Sequence, residues 1–340
     1  MLKVKEITTR KTWEDFLSTT YTGFFPFFQT WDWGEVQMKL GFTTVRLGLF
    51  ENESLIGLVQ IVEIKAKRGK YLHLRHGPVL SVFTKSHVEA ILTYLKVYAK
   101  ESGFSFIRMS PLLPIEDKTI SLVRTMGFRN APIHNMDAEI CWVLDITKSE
   151  DELLMGMRKS HRYLIKKAVK ENIKIIRLEN ASKELDSFLR LYGQLASKRG
   201  FVAHRGLVEE LEILGPQKEA VLFLAEYEGK IIGGALIDFV GPMAIYHHGA
   251  TDDAYRNMSV SYLLQWEAIQ EAKKRGKKMY NFWGIAPTES KKHPWYGLTL
   301  FKTGFGGEKR SFLHAMDLPL TLSYWKTFLI DMLTKVRKGY

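Results

Sequence analysis

The stretch "AEYEGKIIGGALIDF", Ala225 to Phe239, decides the fold, because "FENESLIGLVQIVEI", Phe50 to Ile64, repeats its pattern. Each has a polar tip between apolar arms rich in β-branched residues, the signature of a β-hairpin. Each places an Ile-Gly pair in its second arm, Ile56-Gly57 and Ile232-Gly233, 176 positions apart. The signals that follow match as well. "HVEAILTYLKVYAKESG" and "SYLLQWEAIQEAKKRG" space apolar residues as a helix does and stop at Gly103 and Gly276, 173 apart. Apolar strands "FSFIRMS" and "KMYNFWGIA" come next, and then Gly127-Phe128 and Gly304-Phe305, 177 apart. Three anchors at nearly one offset indicate a duplicated unit.

Each unit runs helix, antiparallel strands, helix, strand, helix, strand. We therefore expect an α/β (α+β) chain of two tandem domains, residues 1–150 and 151–340, with mixed, largely antiparallel sheets. This order resembles the GNAT acyltransferase fold, whose sheet splays at its centre to admit an acyl donor. Members that use acetyl-CoA carry a glycine-rich loop before the central helix, where backbone N–H groups hold the pyrophosphate. Here the second half reads "RNMSVS", with Arg256, Ser259 and Ser261, and the first half reads "SVFTKSHV". A serine Cβ stands where phosphate would approach, and the serines are expected to help start the helix. The scaffold thus predicts an acyltransferase whose donor is not CoA, and no cofactor.

Lys and Arg number 49 against 37 Asp and Glu, a formal charge of +12. That excess favours anionic partners: nucleic acid, anionic lipid or phosphorylated small molecules. The single cysteine, Cys141, rules out an internal disulfide and suggests a reducing compartment. No run reaches the ~18 to 20 apolar residues of a membrane span, and "MLKVKEITTRKTWEDF" lacks a signal-peptide core, so a cytoplasmic location is expected.

Several further strings resemble the FemABX peptidyltransferases, the peptidoglycan-bridge aminoacyltransferases. They are "FFQTWDWGEVQMKLGF" (27–42), "YLHLRHGPVL" (71–80), "FIRMSPLL" (106–113), "MRKSHRYLIKKAVKENIKI" (157–175), "IYHHGATD", "YNFWGIAP" and "LTLFKTGFGGE", in family order across nearly the whole chain. The resemblance implies transfer of an aminoacyl group from its tRNA ester to an amino group on the stem peptide of a cell-wall precursor, UDP-linked or lipid-linked. A tRNA donor would account for both the missing CoA loop and the positive charge. "RGLVEELEILGPQKEAVLFLAEY" leaves no room for the coiled-coil arm of larger members, which implies the compact form. Two rival functions are an N-acyltransferase using an acyl-CoA or other activated donor and a non-catalytic RNA- or membrane-binding relative.

The resemblance also places candidate residues. The lysine of the Phe-Lys-x-Gly-Phe motif is Lys302, assigned to the tetrahedral oxyanion; Gly304, Gly306 and Gly307 are expected to bring backbone and substrate into contact. Some members carry an aspartate before the proline of the "IR-x-x-P" strand. Here that residue is Ser110, so no general base is carried over. Asp252, Asp253 and Glu308 read as solvated carboxylates. Precursor phosphates are assigned to Lys39, or Gln37 in an alternative alignment, and to Arg199 or Arg205. Tyr246 matches a channel-lining strand. Arg158, Arg162, Lys166 and Lys170 form a basic helical stripe suited to tRNA phosphates. His247 and His248, adjacent on a strand, should face opposite ways; His73 and His76 also lack ligand spacing, so no metal is expected. In the tail, Tyr324, Phe328, Leu329, Met332 and Val336 share one helical face. It is expected to dock on its own domain, with contact to an anionic membrane as the alternative.

Overall fold

The computed structural model describes residues 1–180, 183–199 and 206–340. Both hairpins form, each through a two-residue turn with positive φ: Asn52 and Glu53 in one, Glu228 and Gly229 in the other. Such turns match the right-handed twist of the strands they join. The repeat extends to irregularities. A bulge falls between Leu49 and Phe50 and another between Ala225 and Glu226, again 176 apart. Gly103 and Gly276 both end helices with φ near +70° (72° and 71°), a conformation open to glycine without Cβ strain.

The first sheet runs, edge to edge, Leu2–Glu6, Thr44–Glu51, Ser54–Ala66, Gly69–His76, Phe106–Pro111, Met316–Pro319 and Arg129–Asn130. The second runs Lys174–Leu178, Ala220–Tyr227, Lys230–Val240, Met243–Thr251, Met279–Gly284, Ile140–Asp145 and Glu308–Ser311. Each holds one parallel pair amid antiparallel neighbours. The sheets do not part at residue 150. Ile140–Asp145 lies antiparallel to Met279–Gly284 in the second sheet, and Met316–Pro319 lies antiparallel to Phe106–Pro111 in the first. Each half thus lends its closing strand to the other.

The packing binds the halves together. One apolar cluster joins Trp13, Phe27, Phe28 and Trp33 to Phe188, Leu211, Leu222, Leu236 and Ile245. Separate clusters cover the outer faces: Ile91, Leu95, Phe104 and Ile107 in the first half, Leu264, Ile269, Tyr280 and Phe305 in the second. The exchanged strand is held by charge as well. Arg108 donates from Nε and an Nη to the two Asp317 oxygens at 2.7 and 2.8 Å, and to Asp331 of the tail helix at 3.1 Å.

That tail helix, Tyr324–Arg337, docks, but through only part of the expected face: Tyr324 and Phe328 pack against Tyr71 and Phe106. Tyr324, Thr327 and Asp331 are buried, and the Thr327 hydroxyl donates to the Arg68 carbonyl at 2.6 Å. Leu329, Met332 and Val336 are exposed, alongside Leu322, Trp325 and Leu333. Buried polar partners, together with the Tyr324–Phe328 end of the apolar stripe, fix the rotation of this helix.

Candidate active site at the splayed strands

The two parallel pairs differ. In the first sheet Tyr71–His76 pairs with Phe106–Pro111 along six positions. In the second, pairing stops after Met243, Ala244 and Ile245 meet Met279, Tyr280 and Asn281. Beyond that point the two strands are no longer hydrogen-bonded to each other, an opening in the pairing flanked by Tyr246 and Trp283. A bulge between Asn281 and Gly284 and a φ of +68° at Trp283 turn the backbone there. A bulky residue in that region is strained by roughly 1–3 kcal/mol, and such strain concentrates at functional sites.

Lys302 reaches this opening from the helix Tyr296–Thr303 and is only 4% exposed. Its Nζ donates to the Gly284 carbonyl at 2.7 Å and lies 5.8 Å from the Tyr246 ring centre. Burial pushes the ammonium down to about 7, with the nearby Cys141 thiol a minor opposing influence. A lysine so placed gives up its proton near neutrality, and a developing negative charge beside it would restore the charged form. The Cys141 thiol is itself pushed up to about 12 by burial, which makes it inert.

The three glycines after Lys302 serve the chain's own packing. A Cβ on Gly304 would enter the His161 ring, and one on Gly307 would enter the Val143 carbonyl. Gly306, at φ +84°, sits 3.0 Å (from an ideal Cβ) against the Gly156 carbonyl. They allow the helix end bearing Lys302 to seat against Ile140–Asp145 and the loop before Lys159.

The other face of the second sheet meets the first half. A bulge between Leu236 and Ile237 pairs His248 with Leu236 and Tyr246 with Ile237, leaving His247 as the extra residue. His247 and His248 therefore share a face, their ring centres 4.1 Å apart, contrary to strict alternation. His247 Nδ1 lies 2.8 Å from Glu210 Oε1 and 3.3 Å from Asp238 Oδ2. Burial opposes charge on His247, but Glu210 and Asp238 lift it to about 9. Its ring also contacts Trp33, Phe27 and Trp283.

A second polar cluster fills the place of the missing aspartate. The Ser110 hydroxyl donates to Asp137 Oδ2 at 2.7 Å, so a carboxylate from elsewhere in the chain occupies that region. Arg75 grips the other oxygen at 2.8 and 2.6 Å. Burial works against the Asp137 charge, yet Arg75 holds the group well below the usual carboxylate range. It is a structural anion rather than a poised base.

A model of the FemAB family matches residues 8–206 and 216–328. The chain belongs to the FemAB family. Among curated relatives, a lipid II:glycine glycyltransferase of Staphylococcus epidermidis is 22% identical over 81% of this chain and 83% of its own length. Among solved structures, FemX superposes with a TM-score of 0.81 at 18% identity, covering 97% of this chain and all of that one (100%). A tandem GNAT protein from the clavulanic acid biosynthesis pathway gives 0.58 at 11% identity, over 94% and 99% of the chains. These likenesses confirm the tandem GNAT-like fold.

Within this FemAB protein the expected site residues divide into groups. Lys302 and Tyr246 come together at the splay. Gln37 is buried in the helix Trp31–Lys39, whereas Lys39 emerges and pairs with Glu212 Oε2 at 2.7 Å. An incoming phosphate would compete with that carboxylate. Arg205 lies outside the described residues, as does the Arg199 side chain. The basic stripe is partly committed: Arg158 donates to the Leu300 carbonyl at 3.1 Å and Thr303 Oγ1 at 3.0 Å, and Arg162 donates to the carbonyls of Leu154, Met155 and Met157. Lys166 and Lys170 are exposed.

The loop carboxylates are engaged: Asp252 with the Ala254 amide and Lys230, Asp253 with Lys198, Glu308 with Arg310. Ser259 precedes the helix Val260–Lys274 at φ +59° but makes no side-chain cap, so its expected helix-starting hydrogen bond is absent. Sequence reasoning passed over Gly284, Glu210 and Asp238. Of these, only "YNFWGIAP" carried a signal, as a family string.

Proposed function

We propose that this FemAB protein moves an aminoacyl group from an aminoacyl-tRNA ester to an amino group on the stem peptide of a peptidoglycan precursor, extending a cross-bridge. The chain is an aminoacyltransferase, and its Staphylococcus relative is named for glycyl transfer onto lipid II. The observation that carries the reading is Lys302 buried at the splay of the second sheet, where the GNAT architecture admits an acyl donor. Its Nζ bears further N–H groups beyond the one used by Gly284, and in a water-poor opening these stabilise the oxyanion of the tetrahedral intermediate. Tyr246 walls the same opening. The acceptor amine attacks as a neutral nucleophile, and positioning supplies much of the rate.

Support for a tRNA donor comes from the charge of +12 and from the exposed Lys166 and Lys170 beside the exposed ring of Tyr163. Support for membrane contact comes from the tail helix. Its exposed Trp325, Leu329, Leu333 and Val336, with Leu322 just ahead of the helix, form an apolar stripe flanked by Lys326, Lys335 and Arg337. Such a face suits the headgroup region of an anionic bilayer that carries a lipid-linked acceptor. No helix among the described residues is long and apolar enough to cross a membrane.

The test supplies labelled aminoacyl-tRNAs with a UDP-muropeptide or with its lipid-linked form, and reads the product by mass. A mass gain of one or more aminoacyl residues on either acceptor is expected. No gain on both, with every aminoacyl-tRNA, refutes the reading.

A further inference from the structure

The bulge that turns His247 and His248 to one face also brings them to two buried carboxylates. Glu210 enters from the helix Leu207–Leu214, and Asp238 from the neighbouring strand. The nitrogen–oxygen separations are 2.8 Å (His247 Nδ1 to Glu210 Oε1), 3.3 Å (His247 Nδ1 to Asp238 Oδ2) and 3.7 Å (His248 Nε2 to Glu210 Oε2). Ligand atoms around one zinc ion stand about 3.3 Å apart, given bonds near 2.0 Å in a tetrahedron. One ligand atom each from Glu210, His247 and His248 already lies within 4.8 Å of the others, and Asp238, outside that group, meets it at His247 Nδ1, 3.3 Å away.

Asp238 is the second, independent observation. It is fully buried (0% exposed), lies 3.3 Å from His247, and neither of its oxygens accepts a hydrogen bond of ordinary geometry. A buried carboxylate beside a second carboxylate requires a proton or a cation. The Tyr192 hydroxyl lies 3.2 Å from His248 Nδ1, the outer partner that leaves Nε2 facing Glu210.

We propose that Glu210, Asp238, His247 and His248 form a closed structural site for one divalent transition-metal ion of the zinc type. Two imidazoles and two carboxylates suit such an ion, whose charge balances both acids and leaves both histidines neutral. The ion would tie the helix Leu207–Leu214, which also presents Glu212 to Lys39, to the strand that carries Tyr246. It would stiffen the channel wall without taking part in acyl transfer.

The experiment treats the full chain with a chelator, dialyses it and titrates it with Zn2+ by calorimetry in two buffers of different proton affinity. We expect saturation near one equivalent, protons released on binding, and a raised melting temperature. Co2+ in place of Zn2+ should give visible absorption of four-coordinate intensity. Asp238→Asn and His247→Gln should each weaken binding by at least ~10-fold, while Asp253→Asn should leave it unchanged. Absence of saturable binding in the wild-type chain overturns the proposal, whatever the variants do. Equal binding by wild type and folded Asp238→Asn overturns it too, by placing the ion elsewhere.

Discussion

Replacing Lys302 by methionine should make the protein more stable at pH 6 while it disables transfer. An ammonium held at about 7 against an ordinary value of 10.5 carries a folded-state penalty of about 5 kcal/mol when charged. The penalty is largest below pH 7, where both native and unfolded chains are protonated. Between 7 and 10.5 the unfolded chain binds the extra proton, so stability rises with pH; above 10.5 the effect is gone. Methionine fills similar volume without charge but leaves the Gly284 carbonyl without its donor, a loss of about 1 kcal/mol. Allowing for relaxation around a buried charge, the net gain at pH 6 should be about 2–4 kcal/mol, shrinking towards zero or below near pH 10. Urea denaturation of both proteins at pH 6, 8 and 10 measures this directly. A variant equally or less stable at pH 6 would refute the burial argument for Lys302.

Asp317→Ala leaves Arg108 buried and underpaired between the exchanged strand and the tail helix, and should cost about 3–5 kcal/mol in chemical denaturation. Gly304→Ala drives a methyl group into the His161 ring and should cost roughly 1–3 kcal/mol, most of it recovered in the Gly304→Ala, His161→Ala double variant relative to His161→Ala alone. Serine at Trp325, Leu329 and Leu333 together should abolish co-sedimentation with vesicles rich in phosphatidylglycerol. The melting temperature should hardly change, because these side chains are exposed at 42%, 52% and 64%. Cys141 should resist alkylation in the folded protein and react once it is unfolded.

Much of the fold was legible because duplication writes itself twice. The paired turns at Asn52-Glu53 and Glu228-Gly229, and the stops at Gly103 and Gly276, are local devices that sequence spacing displays. The exchange of closing strands was not legible. Nothing local distinguishes Met316–Pro319 pairing with its own half from pairing with the other; the buried Arg108–Asp317 bond that accompanies it joins residues 209 positions apart. At the site, Lys302 stood out through its motif, but the packing of its glycines did not, since a glycine needed for substrate approach and one needed for His161 look alike in sequence. His247 and His248 were separated by strict alternation, which one bulge overturns. The carboxylate beside Ser110 came from Asp137, on a loop with positive φ at Asp137 and Ala138 that no periodicity announces. In the tail helix the apolar stripe gave Tyr324 and Phe328 of the docking face, whereas Thr327 and Asp331, which complete it by satisfying buried partners, carried no such signal.

The central claim is that Lys302 acts on the tetrahedral intermediate of an aminoacyl transfer. Its most direct test is the single-turnover rate of transfer from a saturating aminoacyl-tRNA to the muropeptide acceptor, for wild type and folded Lys302→Met at pH 7.5. Loss of a charged oxyanion donor should slow the chemical step by about 100- to 1,000-fold and leave tRNA binding unchanged. Transfer at the wild-type rate by the variant would contradict the account.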